Sequence, residues 1–232
     1  MFTASVCAIK IPPKVRKILT ITLISLWTPG PEIRAQYDYT QAQWTGGLMA
    51  GANISQVDGD GYKGYNKLSP AVGGIIYIPV PDFEFGQGCL AWSMEVLYSG
   101  KGASGAGSGT GGFMQSQDIR LTYAELPLQL NYWRGPRKSI YGAGLAIGYL
   151  AASEEKIITH SGQLYQFPFR KIDLSFLATA SFHIGAGFFV APRFQYSLLS
   201  IRKKHQDLSA FGREDQFNNV VGLKLMYLFD TR

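Results

Sequence analysis

The chain has 232 residues, 46% hydrophobic and 16% charged, with mean hydropathy near zero and a formal net charge of +6. Charged residues fall well short of the about 25% usual in soluble domains, while 27 glycines and 13% aromatics are plentiful, which disfavours an ordinary soluble globule. Of the 22 basic and 16 acidic residues, Lys10, Lys14, Arg16, Lys17 and Arg34 but only Glu32 lie in 1–35, leaving 17 against 15 and no nucleic-acid partner.

Residues 1–35 have the layout of a cleavable signal peptide: a basic region ending at Lys17, an apolar run Ile18 to Trp27, and Ala35 before Gln36. The run is shorter than the about 20 residues a spanning helix needs, and Pro29 and Pro31 close it. An amphipathic helix of the mature protein is the alternative. Cleavage removes Cys7 and leaves Cys89, so no disulfide framework is expected. Residues 36–43 read as a polar periplasmic lead.

From residue 44 the chain alternates with period two. Trp44 to Ser55 sets Leu48, Ala50, Ala52 and Ile54 against Met49, Gly51, Asn53 and Ser55. Gln56 to Ser69 reads as a polar loop, and Pro70 to Val80 as a more continuously apolar second strand, with Pro79 and Pro81 at a short connection. Cys89 to Ser99 sends Leu90, Trp92, Met94, Val96 and Tyr98 one way and Ala91, Ser93, Glu95 and Leu97 the other. Gly100 to Gln117 reads as an extended Gly/Ser loop.

Asp118 to Trp133 is the fourth strand, with Leu126, Leu128, Leu130 and Tyr132 opposite Glu125, Pro127, Gln129 and Asn131. In its first half, Ile119, Leu121 and Tyr123 lie on the other parity, so either a bulge near Ala124 or an exit from the apolar layer is expected. The charged stretch 134–138 is a turn, and Ser139 to Ala151 is a fifth strand with Tyr141, Ala143, Leu145, Ile147 and Tyr149 on its apolar face. Ser153 to Arg170 is another long loop. Ile172 to Ile184 and Phe188 to Leu198 then form a hairpin around Gly185-Ala186-Gly187, each arm close to the roughly 9–11 residues a tilted strand needs to cross a bilayer. Ile201 to Gln216, with Arg202-Lys203-Lys204-His205, is the last loop, and Asn219 to Phe229 the last strand.

Eight strands joined alternately by long loops and short turns predict an all-β fold: an eight-stranded antiparallel transmembrane β-barrel, an up-and-down meander over residues 44–229 in the bacterial outer membrane. Closure is required because an open edge in lipid leaves backbone groups unsatisfied. The polar parity faces in and the apolar parity faces lipid, and Pro127 and Pro192, which cannot donate a ladder hydrogen bond, are expected at local irregularities, with a bulge as the repair.

Three segments resemble the PorT-like outer-membrane barrel family of Bacteroidetes: Gly47 to Ser55, Glu95-Val96-Leu97-Tyr98-Ser99-Gly100-Lys101-Gly102, and Tyr123-Ala124-Glu125-Leu126-Pro127-Leu128. Phe229 also resembles the terminal aromatic read by barrel-insertion machinery, although Asp230-Thr231-Arg232 follows it. The resemblance implies a small outer-membrane barrel, and its namesake is linked to a type IX secretion apparatus.

An eight-stranded barrel has an interior just wide enough for side chains, so a structural or interaction protein is expected rather than a pore. Glu95, Glu125, Asp173, Arg193 and Lys224 fall on the inward parity and are expected to pair as an interior polar network. Catalytic, cofactor and metal sites are not predicted. Expected partners are outer-membrane lipid and lipopolysaccharide, the insertion machinery during biogenesis, and an envelope protein, with the barrel itself monomeric. A lipid-A-modifying barrel enzyme is the rival class, resting on His183, His160-Ser161 and His205 without a placed acid or oxyanion partner. A soluble lipocalin-like barrel is the other alternative. Gly107 to Gly112 has dinucleotide-fingerprint spacing without a following helix, and Asp58 and Asp60 begin a calcium-like loop that lacks its third ligand and closing Glu. Asn53-Ile54-Ser55 is an acceptor triplet only in letters, and Cys89 reads as a packing residue.

Overall fold

The computed structural model describes residues 44–59, 64–85, 88–106, 114–134, 139–159, 164–165, 168–202 and 215–229, all within the unit Ala42–Arg232. The signal peptide at 1–35, the lead at 36–43, the 107–112 glycines, Asp60, the 135–138 turn, His160-Ser161 and His205 lie outside the described residues.

The strands are β1 (Thr45–Asp58), β2 (Lys67–Phe85), β3 (Gly88–Ala106), β4 (Met114–Arg134), β5 (Ser139–Thr159), the two-residue β6 (Leu164–Tyr165), β7 (Ile172–Gly185), β8 (Phe188–Ser197) and β9 (Phe217–Leu228). Every long strand pairs antiparallel with its neighbours in sequence, and β1 pairs β9, for example at Ala50↔Leu225. The result is a closed eight-stranded meander, and β6 adds only a short extension at the tip of β5. Closure leaves no edge strand along the body of the barrel.

Alternation decides which residues form the interior. On β7, Asp173, Ser175, Leu177 and Ser181 are buried while Ile172, Phe176, Phe182 and Ile184 are exposed. The same division holds on β3, where Ser93, Glu95 and Leu97 are buried against exposed Trp92, Met94, Val96 and Tyr98. The β2–β3, β4–β5 and β7–β8 ladders run to Phe85↔Gly88, Arg134↔Ser139 and Gly185↔Phe188, strand ends only a few residues apart in sequence that mark the short-turn end of the barrel; the opposite strand ends, separated by longer stretches of sequence, mark the long-loop end. At the turn between β7 and β8, Gly185, Ala186 and Gly187 all have positive φ (126°, 46° and 80°), which explains its small residues.

Several strands run past their sequence-based limits. The Gly/Ser stretch expected as loop continues β3 to Ala106, paired with β4 from Lys101↔Leu121 to Ala106↔Ser116. Likewise β5 runs to Thr159 and β2 starts at Lys67. Period-two patterning faded there because these segments carry small and polar residues on both faces, while backbone ladders need no apolar face to persist.

The parity change in β4 does not come from a bulge in that strand. Ile119, Leu121 and Tyr123 point inward, in step with Glu125, Pro127, Gln129 and Asn131, because the interior itself turns apolar towards the long-loop end. The bulge lies across the ladder on β5, where Tyr123↔Leu150 is followed by Thr122↔Ala152 and Ala151 is the extra residue.

Bulges at Pro127 and Pro192 are not found. The β3–β4 ladder passes from Met94↔Leu128 to Leu97↔Glu125 in unchanged register, and the β7–β8 ladder from Thr179↔Arg193 to Phe182↔Val190. Their other flanks pair at Pro127↔Ala146 and Pro192↔Leu223. Each proline interrupts one ladder without shifting it, since a missing N–H removes a donor but adds no residue. The β2–β3 register does shift between Pro79 and Glu84.

Strands pack closely where glycines face in. A Cβ on Gly144 would lie 1.9 Å from the Leu128 carbonyl oxygen, a fixed backbone atom. Gly144→Ala is therefore expected to cost about 1–3 kcal/mol, the scale of overpacking, read as a lower midpoint in denaturant titration of the folded protein.

Candidate functional site

The interior has three storeys. At the turn end, Met49, Ile75, Tyr77, Ala91, Leu97, Ile140, Phe189, Met226 and Leu228 form an apolar cluster, with Trp133 against it and edge-on to Tyr77. At the long-loop end, Val57, Ala103, Ile119, Leu121, Tyr123, Leu150, Phe169 and Ile201 form another. Glu95, Lys101, Glu125, Asp173, Arg193 and Lys224 lie between them.

The first group is a closed ring of side chains from four strands. Arg193 Nη2 meets Glu95 Oε1 at 2.5 Å, and Gln129 Nε2 donates to the same oxygen at 2.5 Å. The Thr179 hydroxyl donates to Gln129 Oε1 at 3.0 Å and accepts from Arg193 Nε at 3.2 Å, which completes the ring. In the second group Lys101 Nζ lies 2.6 Å from Glu125 Oε1 and 3.1 Å from Asp173 Oδ2. Gln195 Nε2 donates to Glu125 and to Ser175 Oγ, and Asn218 Nδ2 donates to Asp173 at 3.1 Å. The Lys101 ammonium also sits 4.9 Å from the centre of the Tyr123 ring.

Of the five residues singled out from the sequence, four are brought into these contacts: Glu95 with Arg193, and Glu125 and Asp173 through Lys101. Lys224 is also buried, but it makes no hydrogen bond or ion pair with the described residues; Glu95 and Glu125 attract it from farther away while Arg193 and Lys101 repel it. Lys101, the hub of the second group, is absent from the sequence-based set. It falls just beyond the third strand as read from periodicity, and only its odd-numbered parity with Glu95 and Leu97 could have marked it as inward.

Above the second apolar cluster the chain folds back over the mouth. Phe169 and Arg202 form an antiparallel bridge, Arg170 N donates to Ile201 O, and Ile201 N to Gln216 O. The Arg202 guanidinium grips Glu155 with both terminal nitrogens, donates through Nε to Gln216 Oε1 at 2.7 Å, and lies 3.8 Å from the centre of the Phe169 ring. The sequence places Arg202 in a basic run of the last loop, but it is buried. A planar fork that satisfies both carboxylate oxygens makes this possible.

The remaining candidates have structural surroundings. His183 packs edge-on against Phe189, with ring centres 5.1 Å apart. The Asp58 carboxylate accepts from Gln56 and Asn219, Asn53 donates to Ser99 and the Gly100 carbonyl, and Cys89 is half-buried opposite Trp133. Among the described residues no group of three or more His, Cys, Asp or Glu side chains is arranged to hold a metal ion. What the core does chemically is pair its own charges: Glu95 is set against Arg193, and Glu125 and Asp173 against Lys101.

No protein-family model matches the chain, and no curated protein matches it. Among solved structures it is similar to the attachment invasion locus protein Ail of Yersinia pestis, at 14% identity over 81% of this chain and 99% of that one, with a TM-score of 0.40. It is also similar to Ail in complex with the heparin analogue sucrose octasulfate (16% identity, 81% and 99% coverage, TM-score 0.38) and to Neisserial surface protein A (10%, 80% and 97%, TM-score 0.43). The barrel assignment rests on the chain's own closed ring of strand pairings.

Proposed function

We propose that the chain is a monomeric, non-enzymatic protein of the bacterial outer membrane, with a side-chain-filled interior and an interaction surface formed by its long-loop end. One observation carries this reading: every long strand turns large apolar residues outward, among them Leu48, Val72, Val96, Leu128, Leu145, Phe176, Phe194 and Leu225, while lysine, arginine and carboxylates are buried inside. That inversion is unstable in water and stable in hydrocarbon, where backbone pairing must also close on itself. A lipocalin-like barrel requires the opposite arrangement. The PorT-like resemblance remains part of the proposal, since two of its motifs supply Glu95, Lys101 and Glu125 to the interior, and a link to a secretion apparatus would act through the loops.

The test is folding itself. The mature chain is expected to insert into lipid vesicles, to migrate differently on gels before and after boiling, and to stay with the membrane fraction. Recovery as a soluble protein without detergent would refute the reading.

A further inference from the structure

The barrel wall is incomplete between β2 and β3. Their ladder ends at Ala71↔Ser99, yet β3 continues to Ala106 beside β4, and β2 continues to Lys67 beside β1. The strands part at this point and leave a notch of about 510 Å³, lined in part by Lys67, Ser69, Tyr98, Ser104, Asp118 and Arg120. Its inner side is closed by β1: Asn53 Nδ2 donates to the Gly100 carbonyl at 3.1 Å, and Ser55 Oγ donates to the Gly102 carbonyl at 2.8 Å. Those two bonds satisfy carbonyls that a longer β2–β3 ladder would have taken; the notch is open sideways, and its floor includes the buried side chains of Lys101 and Leu121.

Its lining residues carry an excess of positive charge, with Glu154 and Lys156 of β5 across the ladder from Arg120 and Asp118. Lys67 Nζ bonds Asp118 Oδ1, and Arg120 Nε donates to Asp118 Oδ2 at 3.1 Å, so two cations share one carboxylate. The Arg120 side chain is 62% exposed, and its two terminal nitrogens have no partner among the described residues. Asp118 thus holds the guanidinium in place while leaving its bidentate donors available, the geometry suited to a phosphate. On the barrel surface beside the notch, Leu68, Val72, Val96 and Tyr98 are exposed. The apolar stripe of β3 ends at Tyr98 and is followed by Gly100 and Gly102, which places the charged rim at the upper edge of the apolar band.

A binding surface that joins a cationic rim to an apolar stripe fits an amphiphile with an anionic head. We propose that the notch holds the phosphate-bearing head group of an outer-leaflet glycolipid, with an acyl chain along Val72, Val96 and Tyr98. This inference rests on the membrane reading above and adds a site to it.

The test uses the folded full chain in detergent, titrated with bisphosphorylated lipid A and followed by native mass spectrometry. One lipid is expected per barrel, and the dephosphorylated lipid is expected to bind at least about tenfold more weakly, the scale of one hydrogen bond to a charged group. Arg120→Gln should lose a similar factor for lipid A, whereas Lys171→Gln, which removes an exposed cation elsewhere, should not. Equal retention of the two lipids, or unchanged binding by Arg120→Gln, would overturn the proposal, as would displacement of lipid A by millimolar inorganic phosphate, which would make the acyl chain irrelevant. The gel shift on boiling is scored in parallel: a barrel that folds but ignores the phosphate loses only the notch, and a chain that never inserts loses the membrane reading.

Discussion

Replacing Lys101 with methionine is expected to destabilise the folded barrel by about 3–5 kcal/mol, the cost of leaving buried carboxylates without their cation. Lys101 is 1% exposed and its ammonium lies against both Glu125 and Asp173, so its loss strands two acids at once. Methionine keeps most of the length and the apolar stem, which isolates the charge from the volume. Lys224→Met is the comparison, because Lys224 is buried in the same storey without a direct ion pair. Its removal takes away longer-range attraction to Glu95 and Glu125 together with repulsion from Arg193 and Lys101, so the two offset and a change of no more than about 1–2 kcal/mol is expected. Denaturant titration in vesicles measures both, with gel mobility before and after boiling as the folded signal. Equal losses at the two lysines would show that direct pairing is not what stabilises the layer.

Arginine at Phe176 is the second large effect. Phe176 is 40% exposed on the outer face of β7, and Ser175 beside it is 1% exposed on the inner face. If the outer band meets hydrocarbon near the middle of the bilayer, Phe176→Arg costs roughly 2–4 kcal/mol. Phe176→Met keeps an apolar side chain and should be mild. At Ser175, whose hydroxyl accepts from Gln195 at 2.7 Å, both arginine and methionine enter a packed interior, but Glu125 bonds the same Gln195 and is available to offset the arginine charge. The quantity to compare is the arginine-minus-methionine difference at each site. A larger difference at Ser175 than at Phe176 would mean that the outer band does not face lipid.

The faces of the strands were legible in the sequence because a strand sends successive side chains to opposite sides, so parity alone separates Phe176 from Ser175 and Val96 from Glu95. Closure followed from the same pattern, since a sheet apolar on one face along every strand cannot leave an edge in lipid. What parity does not carry is the stagger of one strand against another, and stagger decides which inward residues meet. Arg193 reaches Glu95 across 98 positions of sequence, and Asn218 reaches Asp173 across 45. The same stagger carries β3 past the end of the β2 ladder, turning a segment that looked like loop into the strand that delivers Lys101 and opens the notch beside Arg120. Arg202 shows the limit most directly: in a basic run any position reads as solvated, and only the chain folding back to Phe169, Glu155 and Gln216 buries this one. The sequence therefore determined the barrel and its two faces, through a local period of two, while the tertiary structure decided the ion pairs, the cap and the notch, because those depend on distances between strands that no local pattern encodes.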